Sequence, residues 1–559
     1  MVPIVRSVLA AARDIARRVA LVLVVIALSV TAAGAARPAA ASSGDGGMPS
    51  AIPTPDPLAL PPEALAKIDP ALLDELLSLE GIATPRLPSS AGTRDSNGPV
   101  TYLVYLEDED PLAGLLLPHD RDARRHAVVA RLRERAERSQ RWAAELMRRC
   151  LASGLVARYR SYWIANVLLV EGDLEAAVAL ALLPEVMAIE PNRTIQLALP
   201  EVEAASQVAP DIAWGVDKID AERVWAEWGI TGRGIVVANM DSGVDWTHPD
   251  LQPKYRGYNA GDPAASDHNY NWFDFTGTYP DAPGPQNTSG NYIAKVHGTH
   301  VMGTMVGSPP DGSTIVGVAP GAQWIAVKVF DDSGRATNAN ILAGFQWLLA
   351  PTDLKGRNPD PGRAPDVVCN SWGDDADGGT SIAFHRSIDA LRAAGIVAVF
   401  SAGNSGPGAG TIDAPASYTS TLAVGATNPG DLIADFSSRG PSPWGTIKPD
   451  VVAPGVSIVS TAPGGGYATL SGTSMAAPHA AGTLALILQA DRQAFGVPTM
   501  TITTTESILR DTAVDLDAPG PDNDYGYGRI DAYAAVQATQ AIDRLILPML
   551  FRRAPMARP

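Results

Sequence analysis

Cysteine is almost missing from this chain, with two in 559 residues. Two thiols cannot build a disulfide scaffold or the multi-thiolate sites of structural zinc and iron–sulfur clusters. Basic residues are also short: 43 Lys and Arg stand against 60 Asp and Glu, a net charge of −17. That balance argues against a general nucleic-acid binder. After Ala36 no run is long and apolar enough to span a bilayer, since Leu545–Phe551 is short and holds Pro548. No Gly-x-y period suggests collagen. What is present is ordinary for a folded protein: 46% hydrophobic residues exclude a disordered chain, and 52 Gly with 46 Pro require many turns.

The acidic excess is uneven. Residues 1–200 hold 21 basic and 23 acidic side chains, whereas residues 201–559 hold 22 and 37. A near-neutral first part and a net −15 second part fit separately folding pieces. Arg6, Arg13, Arg17 and Arg18 precede an apolar run, Val19–Ala36, that ends in small residues. Basic, apolar, small is the order of a secretory signal, with Ala33-Gly34-Ala35 as the cleavage site. The expected location is extracellular, or membrane-anchored if that segment is kept. Residues 37–99 form a linker rich in Ala, Pro, Ser and Gly, with a helical patch at Pro62–Leu79.

Residues 100–195 carry a compact pattern. Val100–Leu106 alternates as a strand, Arg121–Leu151 has helical periodicity, and Leu155–Tyr162 with Ile164–Val170 read as two strands. Leu174–Leu183 reads as a helix and Glu185–Ile189 as a last strand. The order β-α-β-β-α-β is that of a small α+β ferredoxin-like domain. From about residue 212 to 540 the texture changes. Gly234–Met240, Trp324–Val329, Asp366–Asn370 and Ile396–Ser401 are short apolar runs with helical segments between them. They predict an α/β fold with a doubly wound parallel sheet, whose site lies beyond the carboxyl ends of the strands. Residues 541–559 form a tail with no assigned role.

Four motifs fall at such ends. Asp241-Ser242-Gly243 closes the first strand, and His297-Gly298-Thr299-His300 opens a helix of small residues. Two His three apart lack the intervening Glu of the zinc-peptidase helix, so one is expected to be catalytic and the other a packed neighbour. Ser401-Ala402-Gly403-Asn404 places an amide on a loop. Gly472-Thr473-Ser474-Met475-Ala476 puts a serine at a helix N-terminus, where free N–H groups favour negative charge. Nucleophile, base, orienting carboxylate and amide donor together are what acyl transfer requires. The order Asp, His, Ser excludes the α/β-hydrolase and chymotrypsin arrangements.

With GTSMAAPH and HGTHVMGT in that order, the chain resembles the subtilisin family of serine peptidases from about Trp214 to Val536. The resemblance implies a catalytic triad of Asp241, His297 and Ser474, with Asn404 in the oxyanion hole. It implies polypeptide substrates held by strand addition at Gly334–Ala336 and Ser371–Gly373. Gly334, Ser371, Trp372 and Gly373 are then substrate-binding residues; for Trp372 the alternatives are a side-chain pocket or the core. No cofactor is required for the chemistry. Structural calcium is implied at Asp250, although Gly307-Ser308-Pro309-Pro310-Asp311-Gly312 departs from the family's ligand loop and a hard cation wants six or more oxygens.

The family also implies that residues 100–195 are an inhibitor-like propeptide, an intramolecular chaperone cut off between about 190 and 215. A monomer with no nucleic-acid partner is expected. A rival of another class is a catalytically silent binding protein on the same fold. Arg121–Arg149 holds ten Arg against four acids. It reads as a solvated face, as a contact for nucleic acid or anionic lipid, or as a helix steered onto the acidic catalytic part. Cys150 and Cys369 would be separated by processing, which leaves Cys369 as a packing residue.

Overall fold

The computed structural model describes residues 62–79, 100–107, 111–114, 117–198, 201–206, 209–286, 292–374, 381–496 and 500–551. The expected signal segment at 1–36 and the last eight residues of the tail lie outside them. In chain order the helices are α1 (Pro62–Leu65), α2 (Pro70–Leu79), α3 (Arg121–Ser139), α4 (Arg141–Ser153), α5 (Leu174–Ala181), α6 (Trp214–Lys218), α7 (Ala221–Trp228), α8 (Tyr292–Val306), α9 (Asn338–Leu349), α10 (Ile382–Ala393), α11 (Thr473–Phe495), α12 (Ile502–Asp511) and α13 (Ala532–Phe551). The first strands are β1 (Val100–Leu106), β2 (Val156–Tyr162), β3 (Val167–Gly172), β4 (Val186–Pro191), β5 (Thr194–Gln196) and β6 (Glu201–Ser206). The later ones are β7 (Val236–Asp241), β8 (Trp272–Asp274), β9 (Gln323–Lys328), β10 (Arg335–Thr337), β11 (Val367–Asn370), β12 (Val397–Ser401), β13 (Leu422–Thr427), β14 (Val451–Pro454), β15 (Ile458–Ala462) and β16 (Gly466–Ser471).

The chain divides into two compact units: one takes residues up to Pro111 and Arg133–Arg193, the other Leu112–Leu132 and Thr194 onward. Residues 112–132, read from the sequence as part of the small domain, therefore group with the larger unit. The smaller unit holds an antiparallel sheet in the order β2-β3-β1-β4. Its core joins Leu72 and Leu76 of α2, Tyr102 and Val104 of β1, Leu146 and Met147 of α4, and the apolar α5. The long helix expected over 121–151 is divided at Gln140, whose side chain turns inward to Asn166 and Ser161.

The larger unit holds a parallel sheet in the order β14-β13-β12-β11-β7-β9-β8. Strands β11, β12 and β13 are buried along their whole length, as suits a parallel sheet covered on both faces. The chain leaves β7 toward β9 on one side and β11 on the other. The crevice where a parallel sheet changes direction therefore opens at the end of β7, which is Asp241. Strands β8, β13 and β14 lie beyond the four read from the sequence. Short runs holding Gly425, Thr427 and Pro454 are weak strand signals by composition.

At the opposite, amino-terminal end of β11, Asp366 is buried and accepts a hydrogen bond from Val236 N–H at 3.0 Å. Its other oxygen takes Arg121 at 2.6 Å and Arg125 at 3.1 Å. Arg125 is fully buried and also donates to the carbonyls of Ala364 and Pro365. These guanidiniums hold the Asp366 carboxyl below its usual range despite burial. Two of the ten arginines are thus fixed ion-pair partners rather than a solvated face. Both cysteines are free and buried, and burial pushes the Cys369 thiol up to about 12. No helix among the described residues is long and apolar enough to cross a membrane.

Candidate active site

Asp241 ends β7 with its carbonyl taken by Val329 N–H at 2.9 Å, so strand pairing fixes the backbone beneath the side chain. The turn that follows requires Gly243, which has φ +103°; a Cβ there would stand 1.9 Å from the Gly284 carbonyl. Helix α8 then crosses close above this turn. A Cβ on Gly298 would meet the Gly243 carbonyl at 2.2 Å and Asp241 Oδ1 at 3.1 Å. The small residues of HGTHVMGT are therefore the condition for bringing His297 down onto Asp241.

His297 Nδ1 lies 2.8 Å from Asp241 Oδ1, which also accepts Ser242 N–H at 2.6 Å, and both side chains are fully buried. A carboxylate accepts only, so Nδ1 carries the proton and Nε2 presents a lone pair. That Nε2 is buried with no hydrogen-bond partner among the described residues. A buried acceptor without a donor costs roughly 1–3 kcal/mol, which marks a group kept ready for one. His300, the second histidine of the motif, is the packed neighbour. Its Nε2 donates to the carbonyls of Ile458 and Ala468, and burial pushes its pKa down to about 3.

Ser474 is the second residue of α11, where backbone N–H groups have no intrahelical acceptor. Pro478 sits one turn later and has no N–H to give the Ser474 carbonyl; the Ser371 hydroxyl donates to it instead, at 2.9 Å. The Ser474 hydroxyl in turn donates to the Ser371 carbonyl at 3.1 Å. In this arrangement it is bonded to Ser371 and not to His297. Asn404 lies on the loop after β12, and its Oδ1 accepts from the Thr473 N–H and hydroxyl. Since Thr473 N–H can only donate, the amide orientation is fixed and Nδ2 is left as the donor.

The residues expected to hold substrate fall into two groups. Gly334 and β10 form an extended edge on which Thr194–Gln196 pairs antiparallel, and Leu197 N–H donates to the Gly334 carbonyl at 2.7 Å. Ser371 and Gly373 follow β11 beside the serine, with Gly373 packed on Asp413. Trp372 between them is 1% exposed and packed against Phe330, Phe345, Phe384 and Phe400. Its ring belongs to an aromatic core cluster, the second of the two alternatives read from the sequence.

Asp250 was the implied calcium ligand. Its Oδ2 accepts from Tyr467 at 2.8 Å and its carbonyl accepts from Lys254 Nζ at 2.9 Å. An ammonium and one carboxylate already bonded to a phenol do not fit a hard divalent cation, which needs six or more oxygens. Sequence reading missed Lys254, and missed Thr473 and Ser371 as the supports of Asn404 and Ser474. Thr473 was within reach, since it lies inside the motif and precedes the serine.

The subtilase family profile matches residues 232–528. The chain is 40% identical to bacillopeptidase F of Bacillus subtilis over 433 residues, 74% of this chain and 29% of that protein. It therefore spans less than a third of that relative's length. The segments HNYNWFDF, HGTHVMGTMVG and APDVVCNSWG, at 268–275, 297–307 and 364–373, all lie within the residues that the family matches. Identity is 33% to M-protease of Shouchella clausii over 66% of this chain and 82% of that protein. It is 35% to subtilisin E of Bacillus subtilis over 60% of this chain and 74% of that protein. The buried Asp–His pair and the serine at a helix N-terminus agree with these likenesses: the chain belongs to the subtilase family and is a subtilisin-like serine endopeptidase.

Proposed function

We propose that this protein is a secreted endopeptidase, made as a self-processing precursor, that cleaves proteins through an acyl-enzyme at Ser474. The observation that carries the chemistry is the unpartnered Nε2 of His297, held in its tautomer by Asp241. Ser474 exchanges its bond to Ser371 for one to Nε2 and gives up its proton as Oγ attacks the scissile carbonyl. The tetrahedral oxyanion is met by Asn404 Nδ2 and the Ser474 N–H at the start of α11. The imidazolium then protonates the leaving amine. Water repeats the sequence to release the acid.

Self-processing is supported by the chain's own Thr194–Leu197, which lies along β10 as an extended peptide would. The chain following it is the proposed place of cleavage, within roughly 190–215, and the preceding domain is the proposed inhibitor and folding aid. Export is supported by the basic, apolar, small order of the first 36 residues.

Ser474→Ala tests the reading. The variant accumulates at full precursor mass and leaves casein intact, whereas the parent shortens and hydrolyses it. Equal processing and hydrolysis by the variant, with other proteases excluded, defeats the assignment. N-terminal sequencing of material from the medium tests export and locates the cut.

A further inference from the structure

The cation at the Asp250 loop belongs to the chain itself. Lys254 follows Asp250 by one turn, and its ammonium donates to three oxygens: the Asp250 carbonyl at 2.9 Å, the Ser308 hydroxyl at 3.1 Å and the Ser308 carbonyl. An ammonium has three N–H donors, so this cage satisfies it completely. Asp250 and Ser308 are themselves 2% and 6% exposed, so their oxygens have little access to water if the ammonium is removed.

The place of this cage explains what it holds. Asp250 lies on the segment that follows β7, the strand ending in Asp241. Ser308 lies two residues beyond the end of α8, the helix that carries His297. The carbonyl end of a helix is its negative pole, which favours a cation there. The Ser308 loop turns back tightly, with Gly312 N–H on the Pro309 carbonyl, and Asp311 spends its carboxylate on Ser313 within the same turn. Burial pushes the Lys254 ammonium down to about 8, and the nearby Asp250 carboxylate works against that shift. Loop and charge both supply an ammonium's needs and fall short of a divalent ion's.

We propose that Lys254 is a built-in cation that ties the segment after β7 to the end of α8, in the place where the family resemblance implies calcium. The Asp250 site is then independent of metal, whatever ions bind elsewhere.

Thermal unfolding of the Ser474→Ala precursor, which cannot digest itself, provides the test. Lys254→Met keeps the stem and removes the donors, leaving the two Ser308 oxygens without the ammonium and the Asp250 carbonyl with only the 3.4 Å bond from Ser308 N–H; its Tm falls by several degrees in the presence of chelator. Any rise in Tm that millimolar calcium gives the Ser474→Ala protein persists undiminished when Asp250→Asn is added. A Lys254→Met protein that unfolds at the same temperature or higher overturns the proposal. So does a calcium-dependent rise that Asp250→Asn removes. Should Lys254→Met not fold, the Asp250→Asn comparison alone decides, since it uses the intact lysine.

Discussion

Asn404 Oδ1 accepts two hydrogen bonds from Thr473, one from its N–H at 3.0 Å and one from its hydroxyl at 2.9 Å. The residue before the proposed nucleophile thus fixes the orientation of the proposed oxyanion donor. Asn404→Ala is expected to lower kcat by about 10²–10³ with KM little changed, because the amide acts on charge that develops only in the transition state. Thr473→Val keeps the backbone donor and loses the hydroxyl, so a smaller fall in kcat is expected. In the Asn404→Ala background the Thr473→Val change should cost little more. Steady-state kinetics on a chromogenic peptide separate the cases. Equal losses from Thr473→Val in both backgrounds would mean that it acts by another route.

The pair at Asp241 and His297 yields a second expectation. Asp241→Asn replaces the acceptor that keeps the proton on Nδ1, and the imidazole can then present the wrong tautomer. Loss of about 10⁴ in kcat follows from this substitution in a Ser-His-Asp triad. The far-ultraviolet spectrum should stay that of the parent. A variant retaining a tenth or more of the parent's kcat would separate Asp241 from the chemistry.

How far the sequence alone reaches can be judged from these residues. Asp241 closes an apolar strand, Asn404 follows one and Ser474 opens a helix, so these candidates were legible where a parallel sheet exposes its site; His297 was read as opening a helix, whereas α8 begins at Tyr292 and carries it in the second turn. The small residues around them were legible as a pattern, and the close approach of Gly298 to Gly243 supplies the reason. Partners across long chain separations were not legible. Nothing local to Ser371 says that it serves a carbonyl orphaned by Pro478, and nothing local to Lys254 names Ser308 as its acceptor. Arg121 and Arg125 look like any other members of a basic helix until Asp366 is brought to them. Trp372 was ambiguous for the same reason, since its surroundings are four phenylalanines from separate segments.

Asp366 gives a prediction on stability. Its carboxylate satisfies two guanidiniums and one backbone N–H in a buried setting. Asp366→Asn leaves Arg125 buried without a counter-charge, a loss of about 3–5 kcal/mol by comparison with other broken buried pairs. Denaturant unfolding on the Ser474→Ala protein should show a lower midpoint. A midpoint within error of the parent would mean that the carbonyls of Ala364 and Pro365 suffice for Arg125.

Acid sensitivity follows from two histidines outside the triad. His300 and His479 are buried, and desolvation pushes their pKa values down to about 3 and about 4. In the unfolded chain both titrate near the ordinary value of about 6.5. Between those limits the unfolded state binds more protons than the folded one, so stability rises with pH and is lost on acidification. The loss begins near pH 6.5 and continues until the folded-state values are reached, each histidine contributing up to about 1.4 kcal/mol per pH unit. Carboxylates protonating below about pH 5 add to the slope, so the parent alone cannot apportion it. Half-buried His268 is also lowered by burial and adds to the same window; His479→Gln, made on the Ser474→Ala protein, removes one of these contributions. Its unfolding free energy should depend less steeply on pH between 6.5 and 5, where few carboxylates titrate. An unchanged slope would show that His479 takes up its proton in the folded state as readily as in the unfolded chain, contrary to its burial.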